Sequence, residues 1–235
     1  MQLERILQSQ GFGSRKACRS MIRARRVAVA SQVCDDPFAD LAPEGLVLLV
    51  DDQAWCYRAQ AYLMLNKPAG YECSRSPKHH PSVLSLLPPP LVARGVQPVG
   101  RLDEDTSCLL LLTDDGHLIH RLTSPRHQVG KVYEVTTKHA VSDEQIAALQ
   151  AGVQLHDEPA PIAAAACAPL SDHLLRLTLT EGKYHQVKRM VAAAGNRVEA
   201  LKRVAIGSLT LPADLHPGEW RWLEAADLAS LDLQA

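Results

Sequence analysis

Hydrophobic positions near the start of the chain recur at helical spacing and then change to strand spacing. A short apolar stripe predicts a first helix and consists of Leu3, Ile6 and Leu7. Ser14 is a favourable N-cap for a second helix. Its inward-facing positions are expected to be Ala17, Met21 and Ile22. The valines that follow alternate around a polar turn and are Val27, Val29 and Val33. The pattern predicts two helices followed by two short strands.

Two mainly apolar runs of strand length follow this N-terminal pattern. Residues 62–66 and 109–113 are both rich in leucine, which is typical of strands that are buried on both faces. Asp114 is expected to cap a helix at 115–123. A further strand is predicted at 131–135, where apolar and polar residues alternate.

A further amphipathic helix is predicted at 184–194. Its buried stripe would consist of Val187, Met190, Val191 and Ala194. Lys188 flanks this stripe and would be able to reach a neighbouring loop. Residues 72–98 are expected to be rich in loops, and the acidic segment 35–60 is interpreted as a tail and linker between two domains.

The composition excludes several classes of protein. Of 235 residues, 46% are apolar and 22% are charged, which is ordinary for a folded protein and unlike a disordered one. No apolar run is long enough to cross a bilayer, and charges occupy the place where a secretory signal needs its apolar stretch. The six cysteines form no Cys-x-x-Cys pair. We therefore expect a cytoplasmic protein with reduced thiols and no membrane partner.

The formal net charge of −1 conceals a strong segregation of charge along the chain. Residues 1–34 carry seven basic residues and one acid, whereas 35–60 carry six acids and one base. A second basic block lies at 174–207, with seven bases and two acids. The first basic block would suit the phosphate backbone of RNA. A solvated amphipathic helix explains the same spacing equally well.

The loop before the second apolar run carries one arginine and three acids: Arg101, Asp103, Glu104 and Asp105. One interpretation pairs Asp103 and Asp105 for acid–base chemistry, as in glycoside hydrolysis, although residues two apart in an extended chain point in opposite directions. Alternatively, one aspartate acts as a nucleophile near Arg101. A third reading makes all three acids turn and cap residues. Spacing alone leaves these readings open.

Three histidines were considered as a metal site. His117 and His120 are one helical turn apart, with His127 nearby, but no carboxylate or cysteine completes a ligand set. The chain also has no glycine-rich phosphate loop. We expect neither a metal nor a cofactor.

The N-terminal segment resembles the α-L RNA-binding domain that is shared with a small-subunit ribosomal protein. The matching stretches are residues 3–7, 14–17 and 22–29. The family usually has Asn-Gly in the turn after the first strand, where this chain has Ala30 and Ser31. Because neither residue adopts positive φ readily, the turn is the least secure part of this match.

The charged loop and its surroundings resemble the pseudouridine synthases that act on ribosomal RNA. The matching blocks are residues 65–71, 100–116, 124–133, 181–190, 206–207 and 215–221. They span almost the whole chain in the family's order. The branch that this chain resembles most joins this motif to the α-L domain. Within that branch, the resemblance is to the enzymes that isomerise uridine 516 of 16S ribosomal RNA. One departure is Cys108, where the family usually has glycine; cysteine would add strain if the position requires positive φ.

The resemblance implies a role for each candidate residue. Asp103 would be the nucleophile and Lys188 the cation beside it. Tyr133 would stack on the target uracil and take its carbon-5 proton, and Arg101 would fill the space left by the flipped nucleotide. The implied RNA-binding residues are Arg15, Lys16, Arg19, Arg23, Arg25, Arg26, Lys183, His185, Gln186 and Arg189.

The sequence therefore predicts an α+β protein with an α-L RNA-binding domain at 1–59 and a pseudouridine synthase domain of two lobes at 60–235. The catalytic domain would have a mixed, largely antiparallel sheet with flanking helices. The expected reaction is cofactor-free isomerisation of uridine in 16S ribosomal RNA by a monomer, within a small-subunit assembly intermediate. The alternatives are the same reaction on 23S ribosomal RNA, a non-catalytic RNA-binding assembly factor, and a carbohydrate hydrolase that uses Asp103 and Asp105.

Overall fold

A computed structural model describes residues 1–231 and divides the chain into two compact units. The first unit comprises Met1–Ala61 together with Leu87–Gln97, and the second comprises Tyr62–Leu86 and the chain from Pro98 onward. The division at residues 59 and 60 that the sequence suggests stays a prediction. A single division between residues 59 and 60 would assign residues 87–97 to the second domain, whereas the structure groups them with the first unit.

The first unit combines helices with a small antiparallel sheet. Its helices are α1 (Leu3–Ser9), α2 (Arg15–Arg23) and α3 (Pro89–Ala93). Its strands are β1 (Val27–Val29), β2 (Gln32–Val33), β3 (Val47–Val50) and β4 (Gln53–Cys56), in the order β2-β1-β3-β4. The Ser14 hydroxyl accepts a hydrogen bond from the Ala17 backbone N–H and caps α2 as expected.

Two details of this unit differ from the sequence-based expectation. Ala17 is exposed, and the inward face of α2 is formed by Cys18 and Ile22, which are fully buried. The linker interpretation of 35–60 is wrong for its second half, because β3 and β4 form a hairpin in the sheet. Asp51 and Asp52 form its turn, so their charges are exposed while the flanking apolar residues pair.

The first hairpin forms without the usual Asn-Gly turn. Ala30 and Ser31 both have positive φ, 47° and 65°, and connect β1 to β2 in antiparallel register. The primed turn matches the right-handed twist of the two strands. The departure from the family pattern therefore leaves the hairpin intact.

The second unit is built on a nine-stranded mixed sheet. Its strands, in chain order, are β5 (Tyr62–Lys67), β6 (Gln97–Pro98), β7 (Thr106–Thr113), β8 (Lys131–Thr137), β9 (Ala166–Ser171), β10 (Leu174–Leu179), β11 (Val198–Ile206), β12 (Leu209–Thr210) and β13 (Trp220–Trp222). The main path runs β13-β5-β7-β11-β8-β10-β9, and β7 and β11 pair in parallel while the other pairs along it are antiparallel. The expected α+β class with a largely antiparallel sheet is confirmed.

Four α-helices and two 3-10 helices complete the described part of this unit. The α-helices are α4 (Gly116–Thr123), α5 (Asp143–Ala151), α6 (Gln186–Ala193) and α7 (Ala225–Ala229). The 3-10 helices are Val83–Leu86 and Pro125–His127. The cap of α4 is Asp115 rather than Asp114, and its carboxylate accepts from the His117 N–H and the Tyr62 hydroxyl. Among residues 1–231, no helix has the length and apolar character of a membrane span.

The core of the second unit explains why β7 is so apolar. Leu109, Leu110, Leu111 and Leu112 are each at most 1% exposed, so both faces of the strand are covered as predicted. Leu109 and Leu111 pack with Leu118 and Leu122 of α4 in one cluster. The charged loop at 100–105 therefore leads directly into a strand that is packed on both faces.

Candidate active site

The loop at 100–105 is held in place by a lysine that the sequence analysis did not single out. Lys67, at the end of β5, is completely buried, and its ammonium donates to the backbone oxygens of Pro68, Glu104 and Thr106 at 3.1, 2.9 and 2.7 Å. Burial lowers the pKa of Lys67, because the charged form loses water. Two of these carbonyls lie on either side of Asp105, so Lys67 fixes the path of the loop. Its place next to Pro68 in a matched block was the available signal.

The two aspartates of this loop share one cation. The Lys188 ammonium lies 2.7 and 2.8 Å from the two carboxylate oxygens of Asp105 and 3.4 Å from Asp103 Oδ2. The loop therefore bends enough to bring side chains two residues apart to the same ammonium. This contact was anticipated for Lys188 at the edge of the α6 stripe, whose Val187 and Met190 are buried.

The charge on Lys188 is stabilised by its surroundings. Burial opposes the charge, but the hydrogen bond to Asp105 and the attraction of Asp103 and Asp105 outweigh it and raise the pKa of Lys188. The ammonium thus stays protonated beside a carboxylate that is only 26% exposed. This is the arrangement that a nucleophilic carboxylate requires.

His185 lies closer to the chemistry than the sequence suggested. It was grouped with the RNA-binding residues, yet its Nε2 is 3.3 Å from Asp103 Oδ1. Its backbone has a φ of 46°, so α6 begins at Gln186 and not at Tyr184. The Tyr184 ring stacks on the imidazole with centroids 3.9 Å apart and is itself 70% exposed. Tyr184 is a candidate contact for a nucleobase that sequence reasoning missed; its aromatic character was the signal.

A recess next to Asp103 has a mixed lining, in which charged and polar side chains stand beside apolar ones. Its volume is about 450 Å³ with its open mouth included, and its walls include Leu102, Thr106, Tyr133, Val187 and Leu201. Tyr133 is 8% exposed and lies on β8 opposite Arg203 of β11. The Thr106 hydroxyl is buried without a hydrogen-bond partner among residues 1–231. Apolar side chains that can pack against a ring, next to polar groups that can bond its edge, suit a small polar ring.

Arg101 and Asp103 line both this recess and a wider adjoining groove. The groove encloses about 1700 Å³, open solvent included, between residues 72–80, 100–104 and 182–185. Arg101 is exposed, so its guanidinium is free to contact a ligand in the groove. The structure therefore brings Arg101, Asp103, Tyr133 and His185 together around one cavity, and Lys188 contacts the Asp103 carboxylate.

The other predicted RNA-binding residues of this unit have partners of their own. Lys183 pairs with Glu158 and Glu181, and Arg189 pairs with Asp157. Gln186 is 4% exposed, and its amide accepts from the Lys183 N–H and donates to Glu181. The Gln186 side chain braces the start of α6 through these bonds and also lines the recess next to Asp103, so its role in RNA binding stays a prediction.

The basic residues of the first unit divide into paired and exposed groups. Arg19 forms an ion pair with Glu4, which is 2% exposed, and covers the Phe38 ring at 5.2 Å. Arg26 binds Asp51, and Arg25 lies 3.9 Å from Asp35. The exposed basic residues of α2 without an ion pair in the described part of the chain are Arg15, Lys16 and Arg23.

The histidines considered for a metal site do not converge. The rings of His120 and His127 meet edge to face, with centroids 6.1 Å apart. Within residues 1–231, no three His, Cys, Asp or Glu side chains are placed to hold one ion.

Comparisons with known proteins agree on one family. A family model described as RNA pseudouridylate synthase matches residues 61–193. Proteins named ribosomal small subunit pseudouridine synthase A from Yersinia pestis and Escherichia coli K12 are each 42% identical over 98% of this chain, covering 98% and 100% of those proteins. An uncharacterized RNA pseudouridine synthase of Bacillus subtilis is 38% identical over 99% of this chain and 98% of its own length.

A solved structure extends the similarity to three dimensions. A crystal structure described as a pseudouridylate synthase matches with a TM-score of 0.70 and 34% identity, over 98% of this chain and 99% of that one. The match covers both compact units, so it extends well beyond residues 61–193.

Proposed function

Because the chain belongs to the RNA pseudouridylate synthase family, we propose that it isomerises one uridine of 16S ribosomal RNA, at position 516, to pseudouridine. The similarity to the small-subunit enzymes over almost the full length of both chains supports the choice of ribosomal RNA. The position rests on the motif resemblance. The chain is an isomerase, since pseudouridine has the same atoms as uridine.

The observation that carries the catalytic assignment is the position of Asp103. Its carboxylate borders a recess for a planar ring and lies within 3.4 Å of both Lys188 and His185. The adjacent ammonium favours the ionised, nucleophilic form of a carboxylate. Asp103 is therefore the group that forms the transient covalent bond, to the base or to the sugar carbon.

The reaction needs only protein groups and the RNA. The bond between ribose C1′ and uracil N1 breaks, the uracil turns within the recess, and its C5 bonds to C1′. The C5 proton leaves and a proton is taken up at N1, so atoms and charge balance without a cofactor. Tyr133 lines the recess and is assigned to stack on the uracil and take the C5 proton.

Arg101 is assigned to the RNA rather than to the bond-breaking steps. Removing a nucleotide from its stack costs a few kcal/mol. An exposed guanidinium at the rim of the recess is able to stack in the vacated place and recover part of that cost. The remaining proposals concern context: a monomer in the cytoplasm that acts on an assembly intermediate of the small subunit.

The test separates catalysis from binding. Asp103→Asn is expected to abolish pseudouridine formation in a 16S ribosomal RNA transcript. The dissociation constant for that transcript should stay within about threefold of the wild-type value, because the exposed basic residues that contact RNA phosphates are unchanged. Pseudouridine is mapped chemically, and binding is measured by filter retention. Retained modification by the variant would exclude the nucleophile assignment.

The target is tested in cells. In a strain that lacks the gene, we expect the loss of one pseudouridine at position 516 of 16S ribosomal RNA and no loss from 23S ribosomal RNA. Restoration by the wild-type chain but not by Asp103→Asn ties the site to catalysis. Loss from 23S ribosomal RNA contradicts the proposed target, and a cellular effect rescued equally by Asp103→Asn indicates an assembly factor.

A further inference from the structure

The segment from Glu72 to Ser82 forms a closed loop in the second unit, called here the 72–82 loop. Its ends are joined by backbone hydrogen bonds from Glu72 N–H to Pro81 O and from Val83 N–H to Glu72 O, both at 2.9 Å. The Ser82 hydroxyl also donates to Ser74 O at 2.5 Å. The base of the loop is therefore fixed, although the sequence reads as irregular.

One carboxylate organises the tip of this loop. The Glu72 side chain accepts hydrogen bonds from three successive backbone N–H groups, those of Lys78, His79 and His80, at 3.1, 2.8 and 2.9 Å. Bonds from His79, His80 and Lys78 lower the pKa of Glu72, because they stabilise its ionised form. The Glu72 carboxylate therefore faces the backbone of its own loop.

The same bonds direct basic side chains outward. Between residues 73 and 82 the loop has no acid and carries Arg75, Lys78, His79 and His80, all exposed. Lys78, His79 and His80 line the groove whose other wall is formed by residues 182–185. The acids that line the same groove are Glu72, Asp103 and Glu104, and Arg101 lies beside the last two in the chain.

We infer that the 72–82 loop is a phosphate-binding wall for the RNA strand that flanks the target uridine, with Lys78 as its main contact and Glu72 as its positioning residue. The inference rests on the proposed function, since it assigns part of the substrate site. Because the groove that Lys78, His79 and His80 line also reaches Asp103, the loop holds the RNA backbone while the base enters the recess. Backbone contacts of this kind position RNA and depend on salt.

Replacement of Glu72 gives a test in which the loss of charge and the loss of the loop's structure predict opposite changes in RNA affinity. Glu72→Ala removes a negative charge from the groove, so simple electrostatics predicts tighter RNA binding. The anchor predicts weaker binding, because the three N–H groups lose their acceptor and the basic tip is no longer held. We expect the dissociation constant for a 16S ribosomal RNA transcript to rise about tenfold at 0.15 M salt. Hydrogen exchange of the Lys78, His79 and His80 amides is expected to accelerate.

Lys78→Ala tests the contact without disturbing the anchor, since its backbone N–H remains. We expect binding to weaken about three- to tenfold and the slope of log affinity against log salt to fall by about one. The matched controls are Lys202→Ala and Glu199→Ala, exposed residues of β11 that do not line the groove; neither should weaken binding.

The outcomes distinguish this inference from the proposed function. Binding is measured in full-length chains that also carry Asp103→Asn, so the RNA is not converted. Unchanged binding by Lys78→Ala, or tighter binding by Glu72→Ala, overturns the inference while wild-type catalysis stands. If the wild-type chain forms no pseudouridine in the transcript, the proposed function fails irrespective of the loop variants.

Discussion

Cys108 shows how a single residue departs from its family's pattern at a conformational cost. Its φ is +79° within β7, the left-handed region in which a side chain at Cβ is crowded. The usual glycine is therefore explained by backbone conformation. The first residues of β7 keep their pairing with β11 nonetheless, so the sheet tolerates the strain.

Cys108→Gly is expected to raise the free energy of unfolding of the second unit by about 1 kcal/mol, because relief of the strain exceeds the entropy cost of glycine. Urea denaturation of the two chains checks this. The control is Ser107→Gly, whose φ is not positive; it should lower stability by about 0.5–1 kcal/mol. A destabilised Cys108→Gly variant would contradict the strain argument.

Lys188 is the residue whose charge matters most to the proposed chemistry. Lys188→Ala leaves Asp103 and Asp105 without their shared ammonium and is expected to slow the single-turnover rate at saturating RNA about 100-fold or more. RNA affinity should change far less, which is measured in the same titrations. An unchanged rate would show that the ammonium only binds phosphate.

At the scale of elements, the end of β5 and the start of β7 act as one support. Lys67 joins them by bonding three backbone oxygens in the interior. Lys67→Met keeps the length of the side chain but leaves the carbonyls of Glu104 and Thr106 without a donor. We expect a loss of roughly 2–4 kcal/mol in the free energy of unfolding, measured in urea.

A pure stability effect of Lys67→Met is distinguishable from a displaced loop. At a temperature where the variant remains folded by circular dichroism, the single-turnover rate should still fall, because the backbone on both sides of Asp105 has lost its anchor. A folded variant with the wild-type rate would show that Lys67 does not position the loop.

Strand β8 carries a lysine whose burial makes stability depend on pH. Burial, followed by the nearby charge of Arg203, lowers the pKa of Lys131 from 10.5 to about 8. Between pH 8 and 10.5 the unfolded chain therefore binds more protons than the folded one, so this group makes stability rise with pH. Below pH 8 the full cost of the buried charge is present.

Lys131→Met is expected to be more stable than the wild type at pH 7 and to lose that advantage progressively as the pH rises from 8 to 10.5. Urea denaturation at several pH values measures the difference between the two chains. The exposed Lys138 supplies the control, because Lys138→Met should show a flat difference over the same range. A flat difference for Lys131→Met contradicts the shift.

At the scale of the whole molecule, charge is organised in separate patches, and pairing decides which basic residues remain available to RNA. In α2, Arg19 is occupied by the buried Glu4, whereas Lys16 and Arg23 face solvent. Net charge alone, at −1, gives no sign of this. The exposed basic residues of α2 show how a protein with a net charge of −1 presents a local basic surface to RNA.

The double substitution Lys16→Ala with Arg23→Ala is expected to weaken binding of the 16S transcript and to reduce its salt slope by about two, with the rate at saturating RNA unchanged. Arg19→Ala should instead lower the melting temperature of the first unit, because it leaves the buried Glu4 carboxylate without its ion-pair partner. Equal salt slopes for the double variant and the wild type would exclude α2 from the RNA interface.

Local pattern and motif order were enough to predict much of this protein. The stripes of α1 and α6, the apolar run of β7 and the family blocks are short-range features, and these elements formed where the pattern indicated, except that α6 begins two residues later. Errors occurred where a neighbour in space mattered more than a neighbour in sequence. The acidic 35–60 segment contains a hairpin because the sheet supplies a partner for it.

The sequence by itself determined the fold class, the family and the identity of Asp103 as the central residue, because these depend on residue types in a fixed order. Only the tertiary structure showed that Lys67 and His185 lie near Asp103 as well. They are 36 and 82 positions away in the chain, yet His185 contacts the Asp103 carboxylate and Lys67 holds the backbone on both sides of Asp105. Ion pairing and burial depend on such long-range contacts. The hydrogen bonds of Gln186, the ion pair of Arg19 and the path of the 72–82 loop were therefore decided by packing and not by local sequence.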